Sequence, residues 1–97
     1  MILSELLKSK RETKGFLLRE VASMIEVDTA LISKIEKGDR KPTREQIEKL
    51  AVALDIEYNQ ILKLWLSEKV YEEVKGEDLA VEAIKLALKR LKTEEKN

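Results

Sequence analysis

The segment from Thr29 to Arg44 concentrates side chains that bind anions. It contains five basic residues and two acidic ones, although the 97-residue chain as a whole has no formal net charge. The basic residues are Lys34, Lys37, Arg40, Lys41 and Arg44. Lysine and arginine attract phosphate groups, and lysine can also donate to the O6 and N7 atoms of guanine. The segment therefore has the chemistry to bind nucleic acid, while the neutral total predicts modest non-specific affinity.

Other kinds of chemistry are poorly represented. The chain has no cysteine and no histidine, which excludes thiol nucleophiles, disulfides, zinc sites of these residues and histidine acid–base catalysis. It also lacks a glycine-rich phosphate loop. We therefore expect no enzymatic activity, no metal and no cofactor. The missing cysteines fit a cytoplasmic protein, and no apolar run approaches the roughly 20 residues that span a membrane.

Helices must position the basic segment. With 43% apolar and 39% charged residues and only four glycines and prolines together, the composition favours an all-α fold. Apolar residues recur at helical spacing in six segments. The predicted helices are Ile2–Lys14, Leu18–Ile25, Thr29–Lys37, a fourth from the N-cap Thr43 to about Asp55, a fifth from Tyr58 to just before Gly76, and Asp78–Lys92.

Local residues predict where the third and fourth helices begin and end. Asp28 can cap the third helix through its side-chain oxygen. Gly38 can supply the left-handed residue at its end. Thr43 followed three residues later by Gln46 predicts a capping box for the fourth helix.

The second and third helices are short and separated by three residues, which is typical of a helix-turn-helix. In that motif the second helix enters the major groove, and its outward residues contact base edges. Ile32 and Ile35 are predicted to point inward. The outward residues are Thr29, Ala30, Ser33, Lys34 and Lys37. We therefore predict that this face reads DNA, with Lys34 the candidate for a guanine edge.

The segment from Gly15 to Leu62 resembles the Cro/C1-type helix-turn-helix regulators of bacteria and phages, the XRE family. The matching elements are "EVA" in the second helix, the valine before the cap, "ISKIEKG", the proline four residues after that glycine, and "LAVALDI". With the first helix included, the resemblance covers about Leu3 to Leu66. It implies a five-helix, lambda-repressor-like DNA-binding domain, here with an additional C-terminal amphipathic helix.

The resemblance also implies roles for individual residues. Those implied to face the groove are Thr29, Ala30, Ser33 and Lys34, and those implied to lie near phosphates are Lys37, Arg40 and Lys41. It further implies a structural ion pair between Arg11 and Glu36, because a partly buried carboxylate needs a partner.

Three positions depart from the family pattern. Such motifs usually begin the second helix with Ser or Thr followed by Gln, where this chain has Leu17 and Leu18. Leu17 cannot cap the helix, at a cost of about 1 kcal/mol, and Leu18 cannot donate to a phosphate, so we assign that contact to Arg19. Glu26 replaces a common glycine and must adopt positive φ. The two leucines either pack locally or form an exposed apolar pair for a protein partner.

Residues 1–66 are predicted to form the helix-turn-helix domain and residues 67–97 a helical extension. The apolar face of the sixth helix either folds back on the first and fifth helices or pairs with a second chain. Because two half-sites one helical turn apart reinforce modest affinities, we predict a homodimer. The predicted interface residues are Leu64, Trp65, Tyr71, Leu79, Ile84, Leu88 and Leu91.

The sequence therefore predicts a transcriptional regulator that binds double-stranded DNA at a palindromic operator as a homodimer. Family analogy suggests a restriction–modification controller, or an antitoxin whose C-terminal helix holds a protein partner. The alternative is a protein-interaction module on the same scaffold with weak or no DNA binding. Leu17, Leu18 and the zero net charge favour that alternative.

Overall fold

The computed structural model describes residues 2–95, which form six helices and no strand. The helices are α1 (Leu3–Thr13), α2 (Leu18–Met24), α3 (Thr29–Lys37), α4 (Arg44–Ala53), α5 (Tyr58–Val74) and α6 (Ala80–Glu95). The all-α prediction is confirmed, and the bounds of α3 agree with those predicted. The sixth helix begins two residues later and ends three residues later than the sequence predicts.

One apolar core lies among the first five helices. Each of them contributes at least two buried side chains, mostly of leucine, isoleucine, valine and alanine. Helix α3 packs against α1 and α2, while α4 packs against α2 and α5. Helix α3 is therefore held from behind by the core, which leaves its other face to solvent.

The predicted capping box of α4 is present. Thr43 Oγ1 accepts from the backbone N–H of Gln46 at 3.1 Å, and Gln46 Oε1 accepts from the N–H of Thr43 at 2.9 Å. Gly38 follows α3 with φ of 81°, the left-handed conformation predicted for it. Together these features fix the loop between α3 and α4 at both ends.

The predicted side-chain cap of α3 is wrong. Asp28 occupies the N-cap position, but its side chain accepts no hydrogen bond from the helix. Its carbonyl oxygen instead accepts from the N–H groups of Leu31 and Ile32, at 3.0 and 3.4 Å. The carboxylate is exposed, so water competes with the amides for it.

The start of α2 distinguishes the two leucines. Leu18 packs against the core, whereas Leu17 remains 48% exposed. Leu17 provides no side-chain cap, and its own N–H donates to Glu20 Oε1 at 2.8 Å. At the other end of α2, Glu26 has φ of 60°, the positive value that the family pattern implied. Local packing therefore explains Leu18 but not Leu17.

Helix α6 lies outside the core. None of its residues is buried, and Ile84 is still 39% exposed. The Cα radius of gyration is 15.6 Å, against about 12–13 Å for a compact domain of this length. The helix therefore does not enlarge the core, and its apolar face stays open along a groove that Val70 and Val74 of α5 also line. Within residues 2–95, no helix has both the length and the apolar composition to cross a membrane.

Candidate nucleic-acid interface

The outer face of α3 is a polar ridge over an apolar base. Ile32 and Ile35 are buried, and Leu31 is half-buried against the same core. The outward residues are Thr29, Ala30, Lys34 and Lys37, which are exposed, and Ser33, which is partly exposed. The sequence-predicted groove residues thus lie on one side of one helix.

An ion pair fixes α3 to α1. Arg11 Nε and Nη2 donate to the two carboxylate oxygens of Glu36 at 2.7 and 3.0 Å, and Arg11 Nη1 donates to the carbonyl of Phe16 at 2.9 Å. The side chains of Arg11 and Glu36 are only 13% and 8% exposed. The hydrogen bond to Glu36 raises the pKa of Arg11 above its ordinary value. The pair therefore neutralises the acid of α3 that would otherwise repel phosphate.

The basic residues after Ser33 differ in how far the protein neutralises them. Lys34, Lys37 and Arg40 are exposed and make no ion pair within residues 2–95. The ammonium of Lys41 lies 3.7 Å from Glu68 Oε1 on α5. Of the basic residues of α3 and the loop after it, three are thus free to attract an anion from solvent, while Lys41 already has a partner.

The loop after α3 is anchored to α5. The indole N–H of Trp65 donates to the carbonyl of Pro42 at 2.8 Å, and the ring is buried with only 6% exposed. Because Ile61 and Trp65 lie one turn apart on the core side of α5, Trp65 cannot serve as a surface residue. Within the single chain Trp65 is therefore a core residue, unlike the other residues predicted for the interface, none of which is fully buried. Leu64 is half-buried against the core, while Tyr71 further along α5 is 62% exposed.

Other predicted positions lie around this ridge. Arg19 is exposed on the first turn of α2, and the predicted interface residues of the C-terminal region are exposed. Sequence reasoning missed Glu68 and Pro42, whose roles depend on contacts far apart in the chain. It also missed Glu20, although a glutamate three residues after an N-cap position is typical of a helix start.

Residues 7–61 match the family model described as "Helix-turn-helix". This match spans more than half of the chain, which therefore belongs to the helix-turn-helix family of the XRE type. Members of this family are DNA-binding transcriptional regulators, and the chain is one of that class. The resemblance drawn from the sequence is confirmed.

Two solved structures share the fold. The clp gene regulator ClgR from Corynebacterium glutamicum is 25% identical, with a TM-score of 0.59 over 92% of this chain and 84% of that one. A chain from the complex of the SinR protein with the SinI protein is 20% identical, also with a TM-score of 0.59, over 99% of this chain and 100% of that one. No curated protein sequence matches the chain significantly.

Proposed function

We propose that the chain binds a palindromic DNA operator as a homodimer and inserts α3 into the major groove of each half-site. The observation that carries this proposal is the outer face of α3. It carries hydroxyl groups and the cations Lys34 and Lys37, and Arg40 follows in the loop. No carboxylate of the described residues pairs with these three cations. The core and the Arg11–Glu36 pair hold the opposite face, so the ridge is rigid enough to discriminate between bases.

The residues divide into those that read bases and those that hold phosphates. The proposed base-reading residues lie in the first two turns of α3 and are Thr29, Ala30, Ser33 and Lys34. The proposed phosphate contacts are Arg19, Lys37 and Arg40. Phosphate contacts set the position of the protein on the duplex, and base contacts set its preference.

A charge reversal on the ridge tests the proposal. Bound sequences are first selected from a random duplex pool, and a two-fold motif is the expected result. The double substitution Ser33→Glu and Lys34→Glu should then weaken binding to the selected duplex by at least roughly 30-fold, because two base contacts of about 1–3 kcal/mol each are lost. Fluorescence anisotropy measures the affinity, and circular dichroism checks the fold.

Lys63 and Ser67 provide a matched control. Both are exposed on α5, and the double substitution Lys63→Glu and Ser67→Glu makes the same change in composition and charge. This variant should retain its affinity within a few-fold. Equal losses in the two variants would mean that net charge, and not the ridge, determines binding. A folded α3 variant with undiminished binding would refute the proposal.

The alternative is a protein-interaction module on this scaffold. Exposed apolar side chains outside α6 favour it: Leu17, Met24 and Val52, the last of which is 84% exposed. Salt separates the two functions. With three phosphate contacts per protomer, the logarithm of DNA affinity should fall with that of salt at a slope of about −5 for a dimer. An apolar protein interface should respond weakly to the same titration.

Apolar and charged surfaces in the C-terminal region support the homodimer. Exposed apolar residues follow one another from the end of α5 along α6: Val70, Tyr71, Leu79, Val81, Ile84, Leu88 and Leu91. Residues 68–78 carry five acids and two lysines, whereas α6 carries four basic residues and three glutamates, so the first segment is acidic and the helix slightly basic. Two copies can therefore pair apolar faces with opposite charges beside them. One of the similar structures is a complex of two different proteins, SinR and SinI. The alternative occupant of this surface is therefore a different protein.

A further inference from the structure

The side chain of Lys41 is directed toward α5. Its Nζ lies 3.7 Å from Glu68 Oε1, whereas its neighbours Lys37 and Arg40 make no such pair among residues 2–95. Lys41 also contributes to the electrostatics of Glu72, one turn further along α5. The pKa of Glu72 is lowered mainly by the hydrogen bond from Lys75, and the charge of Lys41 lowers it further. Lys41 therefore lies in the field of two carboxylates.

Glu68 is held in place by a second contact. Its Oε2 atom accepts from the backbone N–H of Leu3 at 2.7 Å, at the first turn of α1. The side chain is only 28% exposed. The carboxylate thus satisfies an otherwise unpaired amide of α1, and it cannot follow Lys41 outward without breaking that bond.

The backbone on the other side of the ion pair is also restrained. The carbonyl of Pro42, which follows Lys41, accepts from the indole of the buried Trp65. At the other end of the loop, the N–H groups of Asp39 and Arg40 donate to the carbonyl of Lys34, at 2.9 and 3.3 Å. Because the loop is fixed at both ends, Lys41 can reach a phosphate only by rotating its own side chain away from Glu68.

We propose that Glu68 is an intramolecular competitor of DNA phosphate for Lys41 and so lowers the affinity of the DNA-binding surface. This inference rests on the proposed function, because it assumes that the loop after α3 approaches a duplex. Each protomer then contacts DNA with one cation fewer than its sequence offers. Removing the charge of Glu68 frees that cation.

The substitution Glu68→Gln isolates the charge. Glutamine keeps a side-chain oxygen for the N–H of Leu3 but has no charge for Lys41. The ion pair is solvent-accessible, so the expected effect is a roughly two- to fivefold tighter affinity for the selected duplex. The salt slope should become steeper by about 0.9 per protomer, because one more phosphate is neutralised. Fluorescence anisotropy over a series of salt concentrations measures both quantities.

The Lys41→Gln background separates the ion pair from a general charge effect. In that background, Glu68→Gln should change neither the affinity nor the slope, since the cation is absent. Glu48→Gln is the matched control, because it removes one exposed carboxylate of α4 that makes no ion pair among residues 2–95. It should leave the slope unchanged.

Three results would overturn the inference: weaker binding by Glu68→Gln, an unchanged slope, or the same gain in the Lys41→Gln background. Thermal unfolding followed by circular dichroism shows whether each variant still folds. If Glu68→Gln unfolds, Lys41→Gln alone remains decisive, because loss of a restrained lysine should leave the slope of the otherwise unmodified protein nearly unchanged. Failure of the unmodified protein to bind any duplex would instead refute the proposed function.

Discussion

The guanidinium of Arg11 joins three parts of the chain. It donates to both carboxylate oxygens of Glu36 on α3 and to the carbonyl of Phe16 in the connection between α1 and α2. All three contacts lie behind the proposed DNA-reading ridge, and the two charged side chains are nearly buried. The role of this arginine is therefore to hold α3 in place.

The substitution Arg11→Ala should lower the free energy of unfolding by about 2–4 kcal/mol, because Glu36 would be left as an unpaired, nearly buried carboxylate. Urea denaturation measures the loss. Lys10→Ala is the control, since the neighbouring Lys10 makes no ion pair among residues 2–95. Sequence preference at permissive temperature should stay the same. An unchanged melting temperature with an altered preference would contradict the structural role.

Individual contacts were the least predictable part of the site. The Arg11–Glu36 pair could be inferred only through the family resemblance. Glu68 and Leu3 are 65 positions apart, and their hydrogen bond depends on the rotation of α5 relative to α1, which no local spacing reports. The missing side-chain cap at Asp28 reflects competition with water, which a preference for cap residues does not decide.

At the scale of elements, α5 supports the loop that follows the recognition helix. Trp65 contributes a buried ring to the core and a hydrogen bond to Pro42. Lys69 covers the same ring, with its Nζ 4.2 Å from the centroid. One side chain therefore couples the core to the position of the basic loop.

Trp65→Phe should destabilise the protein by about 1–3 kcal/mol, because the hydrogen bond to Pro42 is lost and the smaller ring leaves a void. It should also weaken DNA binding more than another core substitution that lowers the free energy of unfolding by the same amount. Leu7→Ala provides that comparison, because Leu7 is fully buried in α1 and far from the loop in the sequence. Equal affinities for the two variants under folded conditions would mean that the anchor does not position the loop.

Elements themselves were well predicted from sequence. Their apolar periodicity is a local property, and Gly38, Thr43 and Gln46 act within one turn of the helix ends that they define. The helices α1–α5 therefore followed from apolar spacing together with local residues at their ends. The fate of the face on α6 did not, because either packing arrangement satisfies the same periodicity.

At the scale of the whole molecule, the chain is extended, with principal dimensions of 42 × 31 × 21 Å. The extension arises from α6, which leaves a line of apolar side chains in contact with water. Such a surface is unfavourable for an isolated chain, and the proposed homodimer would cover it.

Leu88→Glu should convert a dimer into a monomer and weaken operator binding, because it places a charge on the apolar face of α6. Analytical ultracentrifugation at micromolar concentration measures the assembly state. Leu86→Glu is the matched control: Leu86 is an exposed leucine of the same helix that is not among the predicted interface residues. It should leave the dimer intact. A monomeric unmodified protein at that concentration would contradict the homodimer.

The absence of any buried residue in α6 has a consequence for the lifetime of the chain. A solitary helix of 16 residues is only marginally stable in water, since tertiary packing normally supplies most of its stability. Whenever the proposed homodimer dissociates, this helix should open and close rapidly and expose its backbone to proteases. Dilution would then shorten the survival of the regulator, so that its abundance and its turnover are linked through the same face.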